Sequence, residues 1–228
     1  PAPYIIGGQQ SRPYSYPFMV YVTDRRTTCG GTIVGTNLVV TAAHCIGSRN
    51  PSDYIVAGHR HNLEASEQSE QAVRFQVSKV VVHPSYEPRS FDNDIALLVL
   101  NNNNPGAIQG ANMDNMVQLD TQGPREGATG KVIGWGLTQG GGRPSPVLKE
   151  LELRVISSNT CGQMFPPFNP SHKICCSATR QGESACQGDS GGPVMSGNTL
   201  IGVVSHGAEM CDAPASVYTR VANYGSWI

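Results

Sequence analysis

Hydrophobic positions along this chain come in short runs rather than long stripes. Phe18 to Val22, Leu38 to Ala42, Tyr54 to Ala57, Phe75 to Val82 and Ile95 to Leu100 read as strands in the first half. Thr129 to Ile133, Leu148 to Ile156, Val194, Leu200 to Ser205 and Ser216 to Val221 do so in the second. Such lengths, with apolar residues recurring at every second position, fit strands better than helices. Phe75 to Val82 begins as an alternation and ends in three valines, the pattern of a strand covered on one face or both. Gly- and Pro-rich punctuation separates most runs. The helical candidates are Ser158 to Met164 and the residues from about Val221. Between Asn101 and Gly127 the chain is polar and strand-poor. It opens on four asparagines and Pro105-Gly106, and reads as a connection between two β subdomains. Gln139 to Gly142 predicts a second flexible loop.

Composition sharpens this. In 228 residues there are 26 glycines and 16 prolines, which suits many strands joined by turns. The net charge is −1 with no clustered basic face, so nucleic acid is not an expected partner. No apolar run approaches the length of a membrane span. Seven cysteines are present with no C-x-x-C pair, which argues for disulfides in an oxidising compartment over structural zinc. The odd count predicts one thiol left over or one intermolecular bond. Pro1 to Tyr4 read as the end of a pro-segment. The final Trp227-Ile228 carries no stop signal, so a truncated C-terminal helix is expected.

Three segments carry chemistry. In Gly188-Asp189-Ser190-Gly191-Gly192-Pro193 a serine is flanked by glycines. A serine hydroxyl is a weak nucleophile that needs a base and a place for an oxyanion, and glycines let the backbone turn its N–H groups toward a substrate. Taken alone, the segment reads equally well as a Gly-rich turn. Thr41-Ala-Ala-His44-Cys45 ends a predicted strand on a histidine, and Asp92-Asn-Asp94-Ile-Ala-Leu97 puts a carboxylate at the mouth of an apolar strand. Each is unremarkable singly. The order His, Asp, Ser is the one found in chymotrypsin, and it excludes esterases whose triad runs Ser, Asp, His.

With these residues in view, the chain from Ile5 to Ile228 resembles the trypsin/chymotrypsin family of serine proteases. The further markers are Ile5-Ile6-Gly7-Gly8, Cys29-Gly-Gly-Thr-Ile33, Gly134-Trp135-Gly136, Ser205 and Val217-Tyr-Thr-Arg220. The resemblance implies an all-β fold of two packed antiparallel Greek-key β-barrels (about 18–110 and 117–228) with the active site in the cleft between them. It implies His44, Asp94 and Ser190 as the triad and the N–H groups of Gly188 and Ser190 as the oxyanion hole. Ser205 would support the buried aspartate and begin the substrate-pairing strand. The implied disulfides are Cys29–Cys45, Cys161–Cys175 and Cys186–Cys211, leaving Cys176 unpaired, although Cys175 and Cys176 could exchange as partners of Cys161. No metal and no cofactor is implied. The family's calcium-ligand positions hold His59 and Ala72 here, and His59-Arg-His61 reads as a solvated loop.

The resemblance also implies a secreted endopeptidase, monomeric, not membrane-bound, with protein or peptide substrates and protein protease inhibitors as partners. A catalytically silent homologue serving as a binding module is the alternative. Cleavage between Tyr4 and Ile5 would free an ammonium at Ile5 to pair with Asp189. Ser184 would form the base of the primary substrate pocket, with Gly207 and Ser216 in its walls. Without a carboxylate at Ser184, a basic substrate side chain would be buried unpaired. Large apolar or aromatic residues are therefore expected, with Ser216 leaving medium aliphatic ones open. His206 replaces the tryptophan that usually follows the strand-starting serine, and is expected to be a partly exposed polar substitute.

Overall fold

The computed structural model describes residues 8–24, 26–101, 116–136, 145–180, 189–207 and 215–228. Its strands are β1 (Gln9–Gln10), β2 (Met19–Thr23), β3 (Thr28–Val34), β4 (Leu38–Thr41), β5 (Ile55–Gly58), β6 (Val73–Phe75), β7 (Val77–Val82) and β8 (Ala96–Leu100). Then follow β9 (Gln118–Leu119), β10 (Thr129–Gly134), β11 (Lys149–Val155), β12 (Lys173–Ala178), β13 (Pro193–Ser196), β14 (Thr199–His206) and β15 (Ala215–Arg220). The helix α1 (Ser158–Met164) stands where the sequence places it, its N-terminus capped by Ser157 Oγ accepting from the Thr160 amide.

Two curled sheets result. The first runs β6-β5-β2-β3-β4-β8-β7. Its outer strands β6 and β7 are joined through Gln76 alone, so the sheet must curl until its two edges meet. In the second, β11-β10-β13-β14-β15-β12 is a ring, because β12 also pairs with β11. Closure removes the open edges that would otherwise template aggregation. Every ladder is antiparallel except the short β9–β14 pairing, and β1, from the N-terminal end of the chain, adds to the second sheet at β11.

Period-2 alternation explains why the runs look doubly hydrophobic. Val20 and Val22 of β2 point into the first barrel with Ile33, Val39, Val56 and Leu98. Met19, one residue away, faces outward into a separate cluster with Val40, Ile133, Trp135, Leu200 and Val203, contributed by both barrels. Val132, Leu151, Leu153, Ile174 and Tyr218 fill the second barrel. There are thus two barrel interiors and a third core between them, and strands facing the seam are buried on both sides.

Three details differ from the sequence reading. The expected strand Phe75 to Val82 is two strands broken at Gln76, and its valines are only part-buried, since β7 has a neighbour on one side and a register shift near Val77. The strands β3 and β12 were not expected. In β3 a Cβ on Gly30 would stand 2.8 Å from Met19 Cε and 3.0 Å from Gly192 Cα, so its glycine serves close packing at the seam. The C-terminal helix is, among the described residues, only a 3-10 turn at Val221–Asn223.

The loop between β5 and β6 folds around a buried guanidinium. Arg60 donates from Nε to Glu70 at 2.6 Å and from Nη2 to the carbonyls of Asn62 and Ala65, while Glu70 accepts the amides of His61 and Asn62. Removing one partner of a buried, hydrogen-bonded ion pair strands the other. Arg60→Met is therefore expected to lower unfolding free energy by about 3–5 kcal/mol, read by urea denaturation; a midpoint equal to the parent's would refute this account of the loop.

Candidate active site

The nucleophile candidate sits on a turn of the second barrel pressed against the first. The Gly30 amide of β3 donates to the Ser190 carbonyl at 2.8 Å, the Gly191 amide to Val204 and the Gly192 amide to the Asp189 carbonyl. Gly191 has φ +77°, and a Cβ there would stand 2.5 Å from the Gly30 carbonyl oxygen and collide with Thr41 Oγ1. No other residue fits. The turn is thereby wedged between β3 and the end of β4, three residues before His44.

His44 lies on a short 3-10 turn directly after β4, tied down by the disulfide Cys29–Cys45. Its Nδ1 is 2.8 Å from Asp94 Oδ2, and its own amide donates to Asp94 Oδ1 at 2.9 Å. Asp94 is 1 % exposed. Ser205 Oγ, from β14 across the seam, donates a third bond to Oδ2 at 2.5 Å. Burial alone pushes the Asp94 pKa up, but the hydrogen bonds and charge of His44 and the Ser205 hydroxyl outweigh it, and the net shift is downward. The carboxylate stays ionised, accepts only, and so holds the proton of His44 on Nδ1. In the neutral imidazole this tautomer leaves Nε2 as the acceptor, the form a general base requires.

Ser205 has one hydroxyl proton, spent on Asp94, so the 3.1 Å contact between Ser205 Oγ and His206 Nδ1 requires Nδ1 of His206 to donate. His206 is partly exposed at the end of β14. It stacks on Phe91 (4.8 Å, 24°) and meets Phe165 edge-on. Phe91 in turn sets its edge against His44 at 5.8 Å. Phe91 and Phe165 were not singled out from the sequence; the one available signal was the position of Phe91 beside the Asp-Asn-Asp motif.

Burial first, and then the charge of Lys173, lowers the His206 pKa from 6.5 to about 4. The unfolded chain takes up this proton below pH 6.5 and the folded chain only near pH 4. The contribution is whole above pH 6.5 and is lost as pH falls toward 4, an effect of about 3 kcal/mol. His61 and His83, also lowered by burial, act with the same sign. Urea midpoints are therefore expected to fall between pH 6.5 and 4, less steeply in His206→Phe; parallel profiles in parent and variant would contradict this.

Asp189 is fully buried and accepts the Gly136 amide at 2.8 Å. Ser216 lies on β15, buried, with its Oγ 3.2 Å from where a Cβ of Gly207 would be, so the two residues expected in the pocket walls face each other. Cys161–Cys175 is formed, and Cys176 is a buried free thiol pushed up to about 12 by burial. This settles the choice between Cys175 and Cys176. Ile5, Ser184, Cys186, Gly188 and Cys211 lie outside the described residues.

Comparison with known proteins agrees with this geometry. The family model described as Trypsin matches residues 5–228. Human (Homo sapiens) cathepsin G is 34% identical over 235 residues, covering 98% of this chain and 86% of that protein. Trypsin-3 of Salmo salar is 35% identical, covering 98% and 91%. Among solved structures, neuropsin, a serine protease expressed in the limbic system of mouse brain, superposes with TM-score 0.83 at 29% identity, covering 97% and 96% of the two chains. With two closed barrels and a match over nearly its whole length, the chain belongs to the trypsin family of serine proteases.

Proposed function

We propose that the chain is an active serine endopeptidase working through Ser190, His44 and Asp94. The observation that carries this reading is the buried Asp94 carboxylate, which holds His44 by both its amide and Nδ1 beside the wedged Ser190 turn. In the reaction, Ser190 Oγ attacks the substrate carbonyl while His44 Nε2 takes its proton. The oxyanion rests on the amides of Gly188 and Ser190. His44 returns the proton to the leaving amine, and water releases the acyl group by the same route.

The substrate side chain enters a pocket based on Ser184. With no carboxylate there, large apolar or aromatic residues are preferred. The Ser216 hydroxyl beside Gly207 narrows one wall and keeps medium aliphatic residues acceptable. Activation follows cleavage between Tyr4 and Ile5, when the new ammonium pairs with the buried Asp189 and holds the Gly188 to Ser190 backbone in register. The two disulfides formed among the described residues suit a secreted enzyme.

The test uses protein cleaved before Ile5 and a phosphonate serine trap, followed by a peptide library. Label on Ser190 and cuts after Phe, Tyr or Leu are expected. An unlabelled Ser190 in folded, processed protein would favour the silent binding module. Active material whose first residue is still Pro1 would refute the activation step.

A further inference from the structure

The turn that delivers Asp94 to His44 is held from both barrels: within the first, the Glu87 amide donates to the Asp92 carbonyl at 3.0 Å and Asn93 Nδ2 to the Ser85 carbonyl at 2.9 Å. Phe91 and Asn93 both have φ +55°, a left-handed conformation costly for residues with a Cβ. Barrel-two side chains hold it in place. Tyr224 Oη donates to Asn93 Oδ1 at 3.0 Å, Thr219 Oγ1 to the Asp94 carbonyl at 2.6 Å, and Ser205 to the Asp94 carboxylate.

The start of the turn is held by a charge. Lys173 on β12 is 1 % exposed. Its ammonium pairs with Asp92 Oδ1 at 2.9 Å and donates to the Ser90 carbonyl at 2.5 Å and the Pro167 carbonyl at 3.4 Å. Two of its protons go to the Ser90 and Pro167 carbonyls, and Asp92 answers its charge at ion-pair distance. Asp92 and Ser90 are the neighbours of Phe91, whose ring touches both His44 and His206. One lysine thus grips both flanks of the residue that backs the imidazole, three positions before the aspartate that orients it.

We propose that Lys173 is a positioning residue for the triad, fixing through Asp92 and the Ser90 carbonyl the turn that presents Asp94 and Phe91 to His44. The inference rests on the serine-protease reading above. A neutral residue in its place would leave Asp92 without its counter-ion and two carbonyls without a donor, and the strained turn free to relax.

The test compares Lys173→Met, Asp92→Asn and the double variant in processed enzyme. Small displacements of a catalytic group cost on the order of 10- to 100-fold in kcat, and each single variant is expected in that range with KM little changed. Because the two residues act as one device, the double variant should lose no more than either single. If all three keep the parent's kcat and lose only thermal stability, the pair merely stabilises and the inference is overturned. Should Lys173→Met fail to fold, Asp92→Asn decides alone, since it is nearly isosteric and partly exposed.

A second readout separates this inference from the reading of function. The His44 Nδ1–H proton, followed by NMR, should move or broaden in the variants whether or not the protein hydrolyses anything. A parent inert to the serine trap would sink the protease reading, and the resonance would still judge Lys173: an unmoved signal in Asp92→Asn counts against it.

Discussion

Ser190→Ala is expected to lower turnover about 10⁶-fold, the loss seen when a nucleophile is removed from a unit that works only as a whole. The fold gives no reason for any accompanying loss of stability. The bonds that seat this turn are made by backbone atoms: the Gly30 amide to the Ser190 carbonyl, Gly191 to Val204, Gly192 to Asp189. Alanine keeps all of them. The variant should therefore melt with the parent and bind substrate peptides while failing to cleave them. Hydrolysis of a peptide amide, read beside a melting curve, checks both halves. A folded variant that still turns over at a comparable rate would place the nucleophile elsewhere.

Asp94→Asn tests the other end of the site, with an expected loss of about 10⁴-fold in kcat. The carboxylate has two oxygens, and three donors converge on them: the His44 amide on Oδ1, His44 Nδ1 and the Ser205 hydroxyl on Oδ2. An asparagine offers one oxygen and one NH₂. If its NH₂ faces the His44 amide, two donors are forced together. If it faces Nδ1, the ring must accept there and carry its proton on Nε2, where it can no longer take one from Ser190. Either arrangement spoils the base without removing the histidine. A variant with near-parental kcat would mean that His44 does not depend on Asp94 for its tautomer.

Much of this was legible from residue order alone. Strands with clear alternation or compact apolar runs, such as Leu38 to Ala42 and Thr129 to Ile133, lie within a residue or two of β4 and β10. The three motifs proposed to carry catalysis stood out by their order, His44, Asp94 and then Ser190, since each is unremarkable singly. What stayed hidden depends on contacts between distant segments. The glycines of β3 give no strand signal of their own, and the reason for Gly30 appears only with the approach of Gly192. The strand β12 is too rich in lysine, cysteine and serine to announce itself, yet Lys173 and Cys176 are buried within it. His206 reads as a partly exposed polar substitute, and nothing in its own segment reveals that Phe91 and Phe165 pack on its ring.

The Gly30 amide, described above as a fastening for the Ser190 turn, belongs to one barrel while its acceptor belongs to the other. Its proton is therefore shielded only while the two halves are docked. The exchange of this one hydrogen with solvent is governed by the free energy of parting the barrels, not by the fraying of either. A bond that looks local is in this sense a gauge of the seam: each barrel has its own ladder of hydrogen bonds, and this proton reports on whether the two are docked.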